Sequence, residues 1–172
     1  LSSNVGIAKL ANDAYNKSTE GRSMFRNRLS QFGLDKITEI EIDGEPRPII
    51  KKPVADKKTW YGTTIPWMAH GYELSMTPLQ LLTFYNAVAN NGKMMKPYLV
   101  SEIRNEDKIV KQFEPRVLIE SIARPENITY AKEMMEEVVK NGTASAIKSP
   151  QLTMAGKTGT TRINYSNKEE YA

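Results

Sequence analysis

Apolar and small residues return at helical spacing from Asn4 to about Tyr15, where Val5, Ala8, Ala11 and Tyr15 share the period. A second period, Phe25, Leu29 and Phe32, predicts a helix over Arg22–Phe32 with Gly33 as its stop. From residue 39 to residue 70 the pattern is irregular, broken by Asp43-Gly44, Pro46, Pro48 and Pro53. A connection that long in a compact domain is expected to wrap a surface or carry short strands. The clearest helix start is Thr77-Pro78-Leu79-Gln80. It offers a hydroxyl at the N-cap, proline at the first helical position, and a glutamine that can answer the cap. Leu81, Leu82, Phe84, Tyr85 and Val88 follow, apolar on both sides, so a buried helix is expected. Asn90-Asn91-Gly92 should end it in a left-handed cap.

Strand-like alternation appears from Tyr98 to Arg104 and from Lys108 to Phe113, with Asn105-Glu106-Asp107 as the turn of a hairpin. A helix from about Asn127 to Lys140 turns Ala131, Met135, Val138 and Val139 inward and pairs Glu136 with Lys140 outside. Asn141-Gly142 closes it. Leu152 to Thr161 alternates again and predicts a strand. Helices dominate, strands are non-sequential and no repeat is present, which defines an α+β or mixed α/β domain.

Composition narrows the chemistry. With 172 residues, 40% apolar and 26% charged, the chain suits one globular domain. No run approaches the ~18 apolar residues of a membrane span. A net charge of +4 is mild. Its basic cluster, Arg47 to Lys58, lacks the interleaved aromatics of a nucleic-acid site. The absence of cysteine excludes a disulfide scaffold and a Cys-ligated metal. The lone His70 argues against a His-based triad or metal site and reads as a loop or core hydrogen-bonding residue. Met94-Met95 and Met134-Met135 read as core filler, and no cofactor is expected. The chain opens Leu-Ser-Ser-Asn with neither initiator Met nor basic run, and is expected to be part of something longer.

Two motifs can carry chemistry: Ser2-Ser3-Asn4, of the form Ser-x-Asn, and Lys157-Thr158-Gly159 followed by Thr160. A lysine on the floor of a cleft can hold its ammonium near a hydroxyl and move protons. Gly159 removes a side chain where an extended substrate must lie against backbone. Thr158 and Thr160 offer hydroxyls to a carboxylate, and a backbone N–H there can serve an oxyanion hole.

Class A β-lactamases and penicillin-binding proteins share the set Ser-x-x-Lys, Ser-Asp-Asn and Lys-Thr-Gly, and this chain resembles the second and third, in the right order and far apart. The intervening chain resembles a class B penicillin-binding protein transpeptidase, the cell-division type slightly more than the elongation type. Ser2-Ser-Asn-Val-Gly6, Phe32-Gly-Leu34 through Ile42-Asp-Gly44, and His70-Gly-Tyr-Glu-Leu-Ser-Met-Thr-Pro-Leu-Gln80 carry the likeness. So do Asn91-Gly-Lys, Lys96-Pro-Tyr, Gly142-Thr-Ala144 and Ala155-Gly-Lys-Thr-Gly-Thr160. Together they cover essentially all 172 residues.

The resemblance implies the serine penicillin-recognising transpeptidase fold, with helices packed on a truncated antiparallel sheet and the third motif on its edge strand. It implies that Ser2 relays protons with Lys157, that Asn4 binds a substrate amide, and that Thr158 and Thr160 grip a terminal carboxylate beside Gly159. The Thr160 N–H would be half of the oxyanion hole. The family's nucleophile is the serine of a Ser-x-x-Lys motif N-terminal to Ser-x-Asn. The one match here, Ser145-Ala-Ile-Lys148, lies on the wrong side of the motif order and is rejected. Residues 1–172 are thus expected to be a single partial domain without its nucleophile or the strands and helix after Lys-Thr-Gly. Implied partners are peptidoglycan stem peptides, β-lactams and divisome or cell-wall proteins. The expected place is the periplasmic face of the bacterial inner membrane, with the anchor elsewhere in the protein. An unpaired edge at Met154–Thr158 would favour dimerisation. Two alternatives stay open: a β-lactamase or DD-carboxypeptidase of the same fold, and a non-catalytic interaction domain that retains it.

Overall fold

The computed structural model describes residues 2–53, 58 and 60–160. They form two compact bodies, a larger one of Ser3–Ala131 and a smaller one that joins Ser2 to the residues from Lys132 onward.

In the larger body, helix α1 (Asn4–Tyr15) begins where the Ser3 hydroxyl accepts the Gly6 N–H at 3.0 Å. Ala11 is buried and the Tyr15 ring meets Phe25 at 5.5 Å, whereas Val5, in the same period, is 80% exposed. Helix α2 is Thr19–Gln31, one turn longer at its start than its apolar period suggested. The cause is Ser18, whose hydroxyl accepts from Gly21 N–H at 3.0 Å. At its end Gly33 takes φ +74, and a Cβ there would meet Ile119 Cδ1 at 2.9 Å, so both conformation and space require glycine.

The irregular stretch carries a two-residue strand, β1 (Ile49–Ile50), and a helix that periodicity missed, α3 (Thr64–Ala69). Helix α3 packs on α1 and supplies the buried Ile65 and Met68 to a core with Ala11, Phe25 and Ile50. His70 follows it. Its Nδ1 is buried without a hydrogen-bond partner among the described residues, and the ring lies against Trp67 and Tyr72.

Strand β1 pairs antiparallel with β2 (Leu74–Ser75), which leads into α4 (Pro78–Ala89). The Thr77–Gln80 capping box forms on both sides, at 2.8 and 3.1 Å. Asn91 and Gly92, at φ 55 and 91, make the left-handed exit. The buried side of α4 is not the one expected. Gln80, Thr83, Ala87 and Val88 are buried, while Leu82 is 63% exposed. Gln80 is drawn inward by Glu45: its Nε2 donates to Glu45 Oε1 at 2.8 Å and to the Pro46 carbonyl at 2.9 Å. Glu45 also accepts from Thr38 N–H and hydroxyl. Burial pushes the Glu45 carboxyl up, but these hydrogen bonds outweigh it and hold it below the ordinary carboxylate value.

Strand β3 (Met94–Met95) pairs antiparallel with β6 (Val117–Ile119), and β4 (Glu102–Asn105) forms the expected hairpin with β5 (Lys108–Gln112). Glu106, at φ 53, turns the hairpin. Met94 is core, but Met134 is 64% exposed.

Helix α5 (Pro125–Lys140) runs from one body into the other. Its Lys140–Glu136 pair forms at 2.9 Å. Gly142 closes it through lack of space, since a Cβ there would lie 2.8 Å from the Val138 carbonyl oxygen. The strand expected at residues 152–160 is not formed among the described residues, and Thr161 lies outside them. Alternation alone makes no strand without a ladder partner. The backbone bond that ties this segment down is Gly156 N–H to the Met135 carbonyl, at 3.1 Å. Sheets among the described residues are three two-stranded antiparallel pairs, so the sheet edge expected at Met154–Thr158 is absent there.

Candidate functional site

The smaller body holds most of the candidate residues. Its frame is the end of α5. Asn141 N–H bonds the Glu137 carbonyl at 3.0 Å, Ala144 N–H bonds the Val138 carbonyl at 3.0 Å, and a short 3-10 turn, Ser145–Ile147, follows. Gly156 leans on the same helix through Met135, and Val139 Cγ2 lies 3.8 Å from where its Cβ would be. Residues 156–158 are therefore fixed from α5 rather than from a sheet.

On that frame Lys157 Nζ donates to Ser2 Oγ at 2.7 Å and to the Thr158 carbonyl at 2.7 Å. Ser2 and Lys157 stand 155 positions apart in the chain, so this contact is tertiary. Both side chains are exposed. An ammonium has three donors. Two are engaged here, and Ser2 Oγ, accepting from a cation, keeps its own proton for another acceptor. Serine bridged to lysine in this way can pass a proton in either direction.

Thr158 is half-buried, and its hydroxyl lies 2.8 Å from the Thr143 hydroxyl. Gly159 has open space on its Cβ side, with no atom of the described residues within 4 Å. Thr160 is exposed. Among the described residues, an approaching chain would meet backbone and hydroxyls here. Asn4 is exposed at the first turn of α1 and belongs to the larger body. Of the two serines in Ser-x-Asn, Ser3 is the helix cap and Ser2 holds the lysine. Thr143 escaped the motif reading as a site residue, although Gly142-Thr-Ala144 stood out in the sequence. Its signal is the glycine before it, which fixes the turn.

Ser145, the serine of the rejected Ser-x-x-Lys match, begins the 3-10 turn. Among the described residues no group of His, Asp or Glu side chains is arranged to hold a metal, and no helix is long and apolar enough to cross a membrane. A cavity of about 360 Å³ in the larger body is lined by Thr38, Gln80 and Thr83 among others. All three are buried, and each is hydrogen-bonded within the chain.

Comparison with known proteins agrees with these motifs. The family model described as the penicillin binding protein transpeptidase domain matches residues 1–172. Penicillin-binding protein PbpB of Mycolicibacterium smegmatis is 31% identical over 169 residues, covering 92% of this chain and 24% of the relative. Peptidoglycan D,D-transpeptidase FtsI of Escherichia coli is 30% identical, covering 94% of this chain and 24% of the relative. The chain thus spans about a quarter of the length of the curated relatives it matches. The D,D-transpeptidase domain of a peptidoglycan glycosyltransferase from Eggerthella lenta has the same fold, with TM-score 0.80 and 22% identity. It is covered to 41% of its length, and this chain to 96%. With the family model spanning every residue, the chain belongs to the penicillin-binding-protein transpeptidase family.

Proposed function

We propose that this chain supplies the proton-relay and carboxylate-binding part of a peptidoglycan D,D-transpeptidase that cross-links stem peptides by serine acyl transfer and is acylated by β-lactams. The observation that carries the reading is the 2.7 Å bond from Lys157 Nζ to Ser2 Oγ. In the longer protein, a nucleophilic serine from a Ser-x-x-Lys motif attacks the penultimate D-alanine carbonyl. The attacking serine gives its proton to the lysine of that motif; as the C–N bond breaks, Ser2 passes its proton to the departing amine and takes one from the Lys157 ammonium that holds it. Thr158 and Thr160 bind the terminal carboxylate, Gly159 leaves room for the peptide backbone, and Asn4 binds a substrate amide. The Thr160 N–H contributes to an oxyanion hole. The enzyme works at the periplasmic face of the inner membrane, in cell division, among divisome proteins. FtsI among the relatives supports that assignment.

The test is acylation of the full-length protein by a fluorescent penicillin. Lys157→Ala should slow it about 10²–10⁴-fold, the usual worth of a positioned acid–base group. Unchanged acylation would remove the reading. The isolated 172-residue chain should form no acyl-enzyme; labelling that disappears with Ser145→Ala would instead make Ser145 the nucleophile.

A further inference from the structure

The Thr158 hydroxyl can donate only one proton, and its contact with Thr143 decides where that proton goes. The two hydroxyl oxygens are 2.8 Å apart, and either can be the donor. If Thr158 donates to Thr143, its hydroxyl has no proton left for an anion. If Thr143 donates, the Thr158 proton is left to point outward, and the accepted hydrogen bond polarises it further.

We infer that Thr143 is a positioning residue for carboxylate recognition: it donates to Thr158 and so turns the Thr158 hydroxyl proton toward the substrate carboxylate. The inference rests on the proposed role of Thr158 in the reading above. Three features make Thr143 suited to it. Its turn is fixed on both sides, by Ala144 N–H on the Val138 carbonyl and by Ser145 N–H on the Gly142 carbonyl at 3.2 Å. The preceding Gly142 lies so close to Val138 that even a Cβ has no room, so the turn cannot easily shift. The Thr158 backbone is also held, since its carbonyl accepts from Lys157 Nζ and Gly156 is anchored to Met135. With both backbones fixed, rotation of the hydroxyls is the main freedom left. A bound carboxylate, an acceptor only, selects the arrangement in which the chain of donors runs from Thr143 through Thr158 to the anion.

This is a statement about charge recognition, so its readout is a ratio. Acylation rates are measured on the full-length protein with benzylpenicillin, which carries the carboxylate, and with its methyl ester, which does not. Thr143→Val should cut acylation by benzylpenicillin about 5–10-fold, the scale of one charge-assisted hydrogen bond weakened but not removed. Acylation by the ester should stay within about 2-fold, and Thr143→Ser should restore the preference. An equal loss with both probes would overturn the inference, since a purely structural role moves both. So would no loss, or a Thr143→Ser protein that behaves like the valine variant. Thr158→Val separates the two levels. If it leaves the preference for the carboxylate intact, the reading of Thr158 itself fails. If it abolishes the preference while Thr143→Val changes nothing, only the role of Thr143 fails.

Discussion

Gln80 and Lys157 each gather polar partners from distant parts of the chain, under opposite conditions. Gln80 is 5% exposed and uses its whole amide group: Oε1 accepts from Thr77 N–H, and Nε2 donates to Glu45 and Pro46. Lys157 is exposed, engages two acceptors, and lies two positions before Gly159, whose Cβ side is open among the described residues. A buried polar group left unmet costs about 1–3 kcal/mol, so the chain must satisfy Gln80 itself. A group that serves a ligand must keep capacity in reserve. On the proposed reading, the first cluster is therefore a fastening and the second a site.

The sharpest way to break that distinction is to exchange the consequences. Lys157→Ala should slow acylation by orders of magnitude while leaving the urea midpoint of the full-length protein nearly unchanged, because Lys157 and Ser2 are exposed. Gln80→Leu should do the reverse. It strands the Thr77 N–H and the Pro46 carbonyl and removes one donor from Glu45, for a loss of about 2–3 kcal/mol. Acylation by the protein that remains folded should persist. Gly33→Ala should cost about 1–2 kcal/mol, through its positive φ and the contact with Ile119.

Acid sharpens the comparison on the structural side. Because the folded Glu45 carboxyl sits below its ordinary value of 4.5, its stabilising contribution is full above that value and is lost as pH falls through the depressed one. Asp35 behaves alike: burial raises it, and hydrogen bonds from Ser30 and Arg26 more than offset that. Urea midpoints should therefore fall as pH is lowered below the ordinary carboxylate value, less steeply in Glu45→Gln. The smallest effect is expected at the hairpin. Glu106→Gly relieves a left-handed residue at φ 53 and should raise stability by less than about 1 kcal/mol.

Legibility followed locality. The capping box at Thr77–Gln80 was readable because donor and acceptor lie three positions apart. The burial of Gln80 was not, because Glu45 is 35 positions away and nothing local announces it. Leu81 and Leu82 looked like core, yet α4 turns its glutamine, threonine and alanine inward instead. Helix α3 was hidden because six residues are under two turns, too short for a period, and Pro66 falls within its first turn. Alternation at residues 152–160 mimicked a strand, but a strand exists only with a hydrogen-bonded neighbour. The family was legible from motif order, and the comparisons bear it out. That Ser2 and Lys157 meet is a tertiary fact, visible in sequence only through the resemblance.

The central claim is that Ser2 and Lys157 act as one unit, and a double-mutant cycle on penicillin acylation tests it most directly. Rates would be compared for the full-length protein, Ser2→Ala, Lys157→Ala and the double variant, each with its fold checked by urea midpoint. Groups joined by a 2.7 Å hydrogen bond and working on the same proton should be strongly non-additive. The double variant is expected to be no slower than the worse single one. Fold-losses that multiply, so that the double variant falls by the product of the two, would show that the residues act independently and would contradict the account.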